Sequence, residues 1–455
     1  MAGHETARSD ARPQYADPSA FTPHFSWKGA NGRQAIFAEA VSLERAAERF
    51  GTPLYLYSRA AIEDAYRELD RGLSGLPHTV CYAVKANGSL SLLRLLARMG
   101  SGFDAVSGGE IELLKRAGVP GDRIVYSGVG KTREEIREAL SYRAARRDAR
   151  GILLFNVESE AELGILIEAA ARRTHAGAPP PAVSVRVNPD VQAGGHPHIA
   201  TGRHHHKFGL DWPAARALYL KHRGSPGICW RGIGSHIGSQ VTSLAPFRDE
   251  LRRLAGYVAE LRRDGVELKY VDIGGGLGVR YTNERPPSRT AYARAVKRMM
   301  RGLGCHVLLE PGRSIVAQAG VLLTRVLYTK ENRGKKFVIV DAAMNDLMRP
   351  ALYGAIHPIT PVERSAAQRA ERLERVDVVG PVCETGDCFL RDWPMPRVEA
   401  GAVLAIWGAG AYGMAQASNY NARPRAAEAL ADGSQARLTR RRETIGDMLR
   451  TEVPR

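Results

Sequence analysis

Lys85 closes the apolar run Tyr82-Ala83-Val84. A positive charge at the end of such a segment needs a partner or a covalent task. One task is a Schiff base with an aldehyde cofactor, for which desolvation lowers the amine pKa. The other reading is a surface lysine at a strand end, and this segment alone leaves the two even. Glu310 ends a second apolar run, Cys305-His306-Val307-Leu308-Leu309. It suits either an ion pair with an arginine or a carboxylate that keeps a pyridinium nitrogen protonated, strengthening the ring as an electron sink. Gly274, Gly275 and Gly276 follow Tyr270-Val271-Asp272-Ile273. Three glycines let backbone N–H groups approach an anion closely, although most such runs are turns. No helix with dinucleotide-type glycine spacing follows them. Ser239 offers a hydroxyl donor, and His236 is either a satisfied core histidine or a flat ring for stacking. Cys383, beside Glu384, is either an inert buried thiol or a proton donor. Arg313, Arg349 and Tyr353 are candidates to bind a substrate carboxylate, because a guanidinium contacts one bidentately. Tyr412 sits in a loop rich enough in glycine for close approach to a ligand.

These residues need a scaffold that gathers them. From about Thr79 to Gly312 short apolar β-type runs alternate eight times with amphipathic helical runs. That alternation predicts a (β/α)8 barrel, since a six-stranded doubly wound sheet would leave two units over. Chemistry on such a barrel sits at the C-terminal ends of the strands. Lys85 falls there after strand one, and Asp104 and Ser107 flank the end of strand two. His236, Gly238 and Ser239 end strand six. The glycine triplet ends strand seven, and Glu310, Pro311, Gly312 and Arg313 end strand eight. After Ser314 the runs become β-rich with little helix. The predicted organisation is a polar arm over 1–30, an N-terminal contribution to a β domain over 31–58, a barrel over 59–313, and a mostly β domain over 314–455.

A chain of 455 residues exceeds one ordinary core. Its net charge of +17 comes largely from arginines spread over helical faces, with no nucleic-acid motif beside them. A basic enzyme surface is the expectation, with no nucleic-acid partner. No apolar run approaches a membrane span and the N-terminus lacks a secretory apolar core, so a cytoplasmic protein is expected. Five scattered cysteines argue against a disulfide framework. No Cys/His spacing matches a structural metal site, and the His-rich loop over 195–206 is expected to be solvated.

In order along the chain, the segments YAVKAN, GSGFDAVSGGE, YSGVGKT, FNVES, KFGL, HIGSQ, DIGGGLG, EPGRS, MNDLMRPALYG, VVGPVCETGD, GAGAYG, SNYNARPR and RRRET resemble the diaminopimelate decarboxylase family from about Phe37 to Leu449. The resemblance implies a pyridoxal 5'-phosphate enzyme with an alanine-racemase-type barrel and a C-terminal β domain. It implies that Lys85 carries the cofactor, His236 stacks on its ring and Glu310 pairs with the pyridine nitrogen. Gly274, Gly275, Gly276, Ser239, the loop Glu310-Pro311-Gly312-Arg313 and Tyr412 are then expected to hold the phosphate. Arg313, Arg349, Tyr353, Glu384 and Tyr412 match substrate contacts, and Cys383 matches the proton donor. The expected reaction turns meso-2,6-diaminopimelate into L-lysine and carbon dioxide. The expected assembly is a homodimer, with Cys383 and Glu384 reaching the partner subunit's site. Thr385 departs from the serine more frequent there, keeping the hydroxyl. The alternatives are a related decarboxylase for ornithine, arginine, D-lysine or carboxynorspermidine, and a racemase, which would want a tyrosine where Cys383 stands.

Overall fold

The computed structural model describes residues 24–29, 32–143, 151–175, 177–192, 207–365, 368 and 373–453. The His-rich loop, most of the arginine-rich stretch 143–150 and the start of the N-terminal arm lie outside them. Three short strands, β1 (Phe25–Lys28), β2 (Gln34–Ala38) and β3 (Val41–Ser42), come first. They precede β4 (Leu54–Ser58). Eight parallel strands then close into a barrel in chain order. They are β5 (His78–Ala83), β6 (Gly102–Ala105), β7 (Ile124–Tyr126), β8 (Leu154–Val157), β9 (Ala182–Arg186), β10 (Cys229–Gly234), β11 (Tyr270–Asp272) and β12 (His306–Leu309). All eight predicted strands are present, in the predicted order.

The later chain adds β13 (Gly320–Asn332), β14 (Lys335–Val340), β15 (Ile359–Pro361) and β16 (Glu363–Arg364). It continues with β17 (Glu374–Val379), β18 (Cys388–Met395), β19 (Val403–Ile406), β20 (Ala427–Asp432) and β21 (Gln435–Arg440). β4 lies between β13 and β20, so a strand that precedes the barrel is built into the sheet that follows it. β16 pairs with β2 in a separate small sheet.

The barrel strands are apolar because helices cover one face and the barrel interior the other. Tyr82, Phe103, Tyr126 and Phe155 are fully buried. The covering helices bury a stripe, as Phe247, Leu251, Leu254, Val258 and Leu261 do on helix Ala245–Arg263. Helix starts are capped locally: Ser58 Oγ accepts from Ala61 N, and Thr132 and Glu135 form a reciprocal capping box.

Alternation along each strand sorts the interior into layers. Cys81, Val125, Leu154 and Leu308 form an apolar plug. Two residues further on, the same strand faces carry Ala83, Ser127, Asn156 and Glu310. Asp104 and Asp272 join that upper layer from β6 and β11. A Cβ on Gly234 would lie 3.2 Å from the Asp272 Cβ and 3.5 Å from Asn156 Oδ1, so glycine makes room for both polar groups. The plug supports a polar, acid-rich layer just under the C-terminal mouth.

Candidate active site

Lys85 stands on the single 3-10 turn Val84–Ala86 that follows β5, rather than on the strand. Its Nζ donates to Asp104 Oδ2 at 2.7 Å. Asp104 is fully buried, while the Lys85 side chain keeps 36% of its surface toward the mouth. Burial disfavours the charged amine here, but Asp104 and Glu310 outweigh it, and the Lys85 pKa stands above its ordinary value. The sequence expectation of a desolvated, lowered amine pKa is therefore corrected. It counted the apolar run and not the carboxylates that β6 and β12 bring to the same end of the barrel.

Those carboxylates form a network. Asn156 Nδ2 donates to Asp272 Oδ2 at 3.1 Å and to Ser127 Oγ at 3.2 Å. Ser127 Oγ donates to Glu310 Oε1 at 3.3 Å, and Gly274 N donates to Asp272 Oδ1 at 2.9 Å. Glu310 and Asp272 share a hydrogen bond. Burial, then repulsion from Asp104 and Asp272, pushes Glu310 well above the usual carboxylate range despite Lys85. Burial pushes Asp272 up to about 6. Glu310 and Asp272, both pushed up and hydrogen-bonded to each other, hold a proton between them, so Glu310 has a high proton affinity at the floor of the site.

The glycine loop lies beside this floor. Gly274 and Gly276 have φ of +59° and +96°, where a side chain is strained. A Cβ on Gly275 would lie 2.1 Å from the Glu310 carbonyl oxygen, and one on Gly276 would lie 2.3 Å from that of Gly238. The loops after β10, β11 and β12 are therefore in backbone contact. Glu310 N also donates to Gly274 O at 2.7 Å. Gly275 N donates to His236 Nδ1 at 3.2 Å. Burial, then Arg186 and Lys85, holds the His236 pKa well below its ordinary value, so the ring is neutral.

A second cluster lies at the edge of the mouth. Arg313 Nη2 donates to Ser239 Oγ at 3.0 Å and Nη1 to Tyr281 Oη at 2.8 Å. Arg349 Nη1 donates to the same Tyr281 oxygen at 3.0 Å and lies 2.7 Å from His357 Nε2. Arg313 Nε is buried without a hydrogen-bond partner. The Arg313 guanidinium lies 4.9 Å from the Tyr412 ring centre, a cation–π contact. Tyr412 has φ +57° and its N–H donates to Ala86 O at 2.8 Å, tying this loop to the Lys85 turn. Tyr353 Oη accepts from Gln416 Nε2 at 3.2 Å. A Cβ on Gly312 would lie 2.8 Å from the Ala86 Cβ and 3.5 Å from Tyr412 Oη, so Pro311 and Gly312 pack where these elements meet.

Cys383 and Glu384 stand apart. Both are exposed on the turn between β17 and β18. Cys383 N donates to Asn421 Oδ1 at 3.0 Å, and Tyr420 hydrogen-bonds Glu384. Among the described residues no hydrogen bond or ion pair links either to Lys85, His236 or Glu310. The inert buried thiol is excluded, since Cys383 is exposed. Sequence reasoning missed Ser127, Asn156, Asp272, Tyr281 and His357 as members of the site. Asp272 was visible as the acid before the glycine triplet, and Asn156 as the polar residue in an apolar β8.

The residues fit pyridoxal phosphate. An amine stands at the mouth above an acid layer with high proton affinity, beside a flat neutral imidazole. Near them lie a glycine loop with no room for Cβ atoms and a buried guanidinium with an unmet donor. A family model described as pyridoxal-dependent decarboxylase, pyridoxal binding domain, matches residues 59–317. A diaminopimelate decarboxylase from Pseudomonas fluorescens is 48% identical over 429 residues, 94% of this chain and 98% of that protein. One from Vibrio cholerae is 44% identical over 91% of this chain and 95% of that protein. The crystal structure of diaminopimelate decarboxylase from Helicobacter pylori complexed with L-lysine has a TM-score of 0.83 at 39% identity, covering 90% of this chain and 98% of that one.

Proposed function

We infer the reaction from membership: this chain belongs to the pyridoxal-dependent decarboxylases, in the diaminopimelate decarboxylase family, and it converts meso-2,6-diaminopimelate to L-lysine and carbon dioxide. The observation that carries the reading is the pairing of two arrangements at one mouth. Lys85 sits over the Asp104–Asp272–Glu310 layer, and two buried arginines lie beside it for a second carboxylate. Substrates without a distal carboxylate, such as ornithine, leave those guanidinium groups without an anion, which disfavours the paralogue reading.

Bound pyridoxal phosphate supplies the electron sink for the pair left behind by carbon dioxide. Lys85 Nζ, open on one side of its contact with Asp104, would be the group that holds it covalently, within reach of a substrate amine. Glu310 would be the residue that keeps a proton at the ring nitrogen, a task suited to its high proton affinity. His236 would present its neutral face without adding charge, and the glycine loop with Ser239 and Arg313 would receive the phosphate. Arg313, Arg349, Tyr353 and Tyr412 hold the distal end of the substrate. Cys383 Sγ delivers a proton to the carbon that lost carbon dioxide, and Glu384 contacts the substrate amine. Both lie on an exposed turn without contact to the chain's own Lys85, which supports a homodimer in which each subunit completes the other's site. The proposed domain division is a β contribution up to residue 58, which takes in β1 (Phe25–Lys28) from the stretch expected to be an arm because it pairs with β2, then the barrel over 59–313 and the β domain over 314–455. Among the described residues no helix is long and apolar enough to cross a membrane. Together with a biosynthetic reaction, that supports a cytoplasmic enzyme.

The test is carbon dioxide release from meso-diaminopimelate beside ornithine, arginine, D-lysine and carboxynorspermidine. Turnover of meso-diaminopimelate alone is expected, and its absence ends the reading.

A further inference from the structure

We propose that Tyr281 is a positioning residue for substrate selection: its hydroxyl oxygen, shared by Arg313 and Arg349, sets the two guanidinium groups to receive the substrate's second carboxylate. This rests on the reading of those arginines as carboxylate contacts and adds the group that arranges them.

Two guanidinium groups are always charged and repel each other. A carboxylate between them would neutralise the pair, but it would also occupy the bidentate face that a substrate carboxylate needs. A tyrosine oxygen accepts one N–H from each and leaves the other donors available. Arg313 Nε is such a donor, buried and without a partner. Burial raises the Tyr281 pKa, but the two arginines outweigh it, and the net shift is downward.

The second support of Arg349 is uncharged. A guanidinium only donates, so His357 Nε2 accepts and its proton sits on Nδ1, which donates to Trp407 O at 2.8 Å. Burial, then Arg349 and Arg313, pushes the His357 pKa down to about 3. Neither support therefore removes the positive charge offered to the substrate. Tyr281 is itself fixed. Its N–H donates to Glu284 Oε2 at 3.0 Å, and its ring meets His357 edge-on at 5.1 Å. A Cβ on Gly408 would lie 3.0 Å from the ring. No hydrogen bond joins Tyr281 to Lys85, His236 or Glu310 among the described residues, so its effect runs through the arginines.

The experiment uses the holoenzyme and two non-reacting probes, L-lysine, which keeps the distal carboxylate, and cadaverine, which has none. Tyr281→Phe is expected to weaken L-lysine about 10- to 100-fold by calorimetry and to leave cadaverine within about threefold. KM for meso-diaminopimelate should rise by a similar factor while kcat changes little. Far-UV circular dichroism and a cooperative thermal melt report whether the variant folds. If it does not, Tyr281→His, whose neutral ring keeps one acceptor nitrogen, is expected to weaken L-lysine by a smaller factor with cadaverine again unmoved. Equal loss of both ligands, no loss of either, or a fall in kcat at unchanged KM overturns the inference. Arg349→Gln separates it from the reading beneath. If that variant weakens L-lysine and the Tyr281 variants do not, only the role of Tyr281 fails. If Arg349→Gln leaves L-lysine untouched, the carboxylate assignment itself fails.

Discussion

Gly275→Ala tests the idea that backbone proximity, rather than side chains, builds the phosphate cradle. The added methyl would begin 2.1 Å from the Glu310 carbonyl oxygen and 2.9 Å from its carbon. Real Cβ atoms stay beyond about 3 Å, so the loops after β11 and β12 must part by roughly 1 Å. They are also clasped by the Glu310 N to Gly274 O hydrogen bond at 2.7 Å, so the movement loosens both. Overpacking of this kind costs about 1–3 kcal/mol, and felt wholly at the cradle that is about 5- to 150-fold in cofactor affinity. Lys85 is untouched, so covalent capture persists at saturating cofactor. The assay titrates apoprotein with pyridoxal phosphate and follows bound absorbance after dialysis. Gly256→Ala is the control. It lies in helix Ala245–Arg263 with nothing within 4 Å of its added Cβ. Alanine there should stabilise the fold by about 0.5–1 kcal/mol and leave cofactor affinity unchanged. Gly275→Ala binding cofactor within about threefold of wild type would refute the reasoning, because the loop would not need the close approach.

Lys85→Ala should abolish bound-cofactor absorbance and lower turnover by at least about a thousandfold; a persisting covalent signal would place the attachment elsewhere. Cys383→Ala should keep the cofactor and lose about a hundredfold or more in turnover, and near-normal rates would remove it as donor. Mixing inactive Lys85→Ala and Cys383→Ala chains should restore activity if sites are shared across a dimer; no recovery after verified subunit exchange counts against sharing. Glu250 is fully buried, with Ser235 Oγ donating to it at 2.5 Å, and burial pushes its pKa up to about 8. The folded protein therefore holds a proton that the unfolded chain releases near pH 4.5, so stability is full below that pH and is lost as pH rises toward 8. Glu250→Gln should match wild type near pH 4.5 and exceed it by a few kcal/mol near pH 8 in urea unfolding. A gap that does not change with pH would show that Glu250 is already ionised in the fold.

The acid layer explains why a lysine survives at a barrel mouth. Asp104 stabilises its charge before any cofactor arrives, and Glu310 carries the proton that four groups cannot all give up. Lys131 shows the structural version of the same problem. It is fully buried and satisfied by Gly128 O, Asn156 O and Glu162, each at 2.7 Å. Its three partners close off its chemistry, whereas Lys85 has one partner and an open side.

Much of this molecule was legible from residue order. Strand and helix periods are local, and each of β5 to β12 carries its own apolar run, so the eight alternations alone led to the barrel. Strand ends could be counted, which put Lys85, the glycine triplet and Glu310 at one mouth. What the order could not supply was any quantity summed over distant groups. The direction of the Lys85 pKa shift depends on Asp104 and Glu310, 19 and 225 positions away in sequence. The role of Tyr281 depends on arginines from two later segments meeting one oxygen. The exposure of Cys383 depends on how β17 and β18 pack. Burial and charge act through space over a few ångströms, and only closure of the barrel against its β domain decides which groups fall within that range.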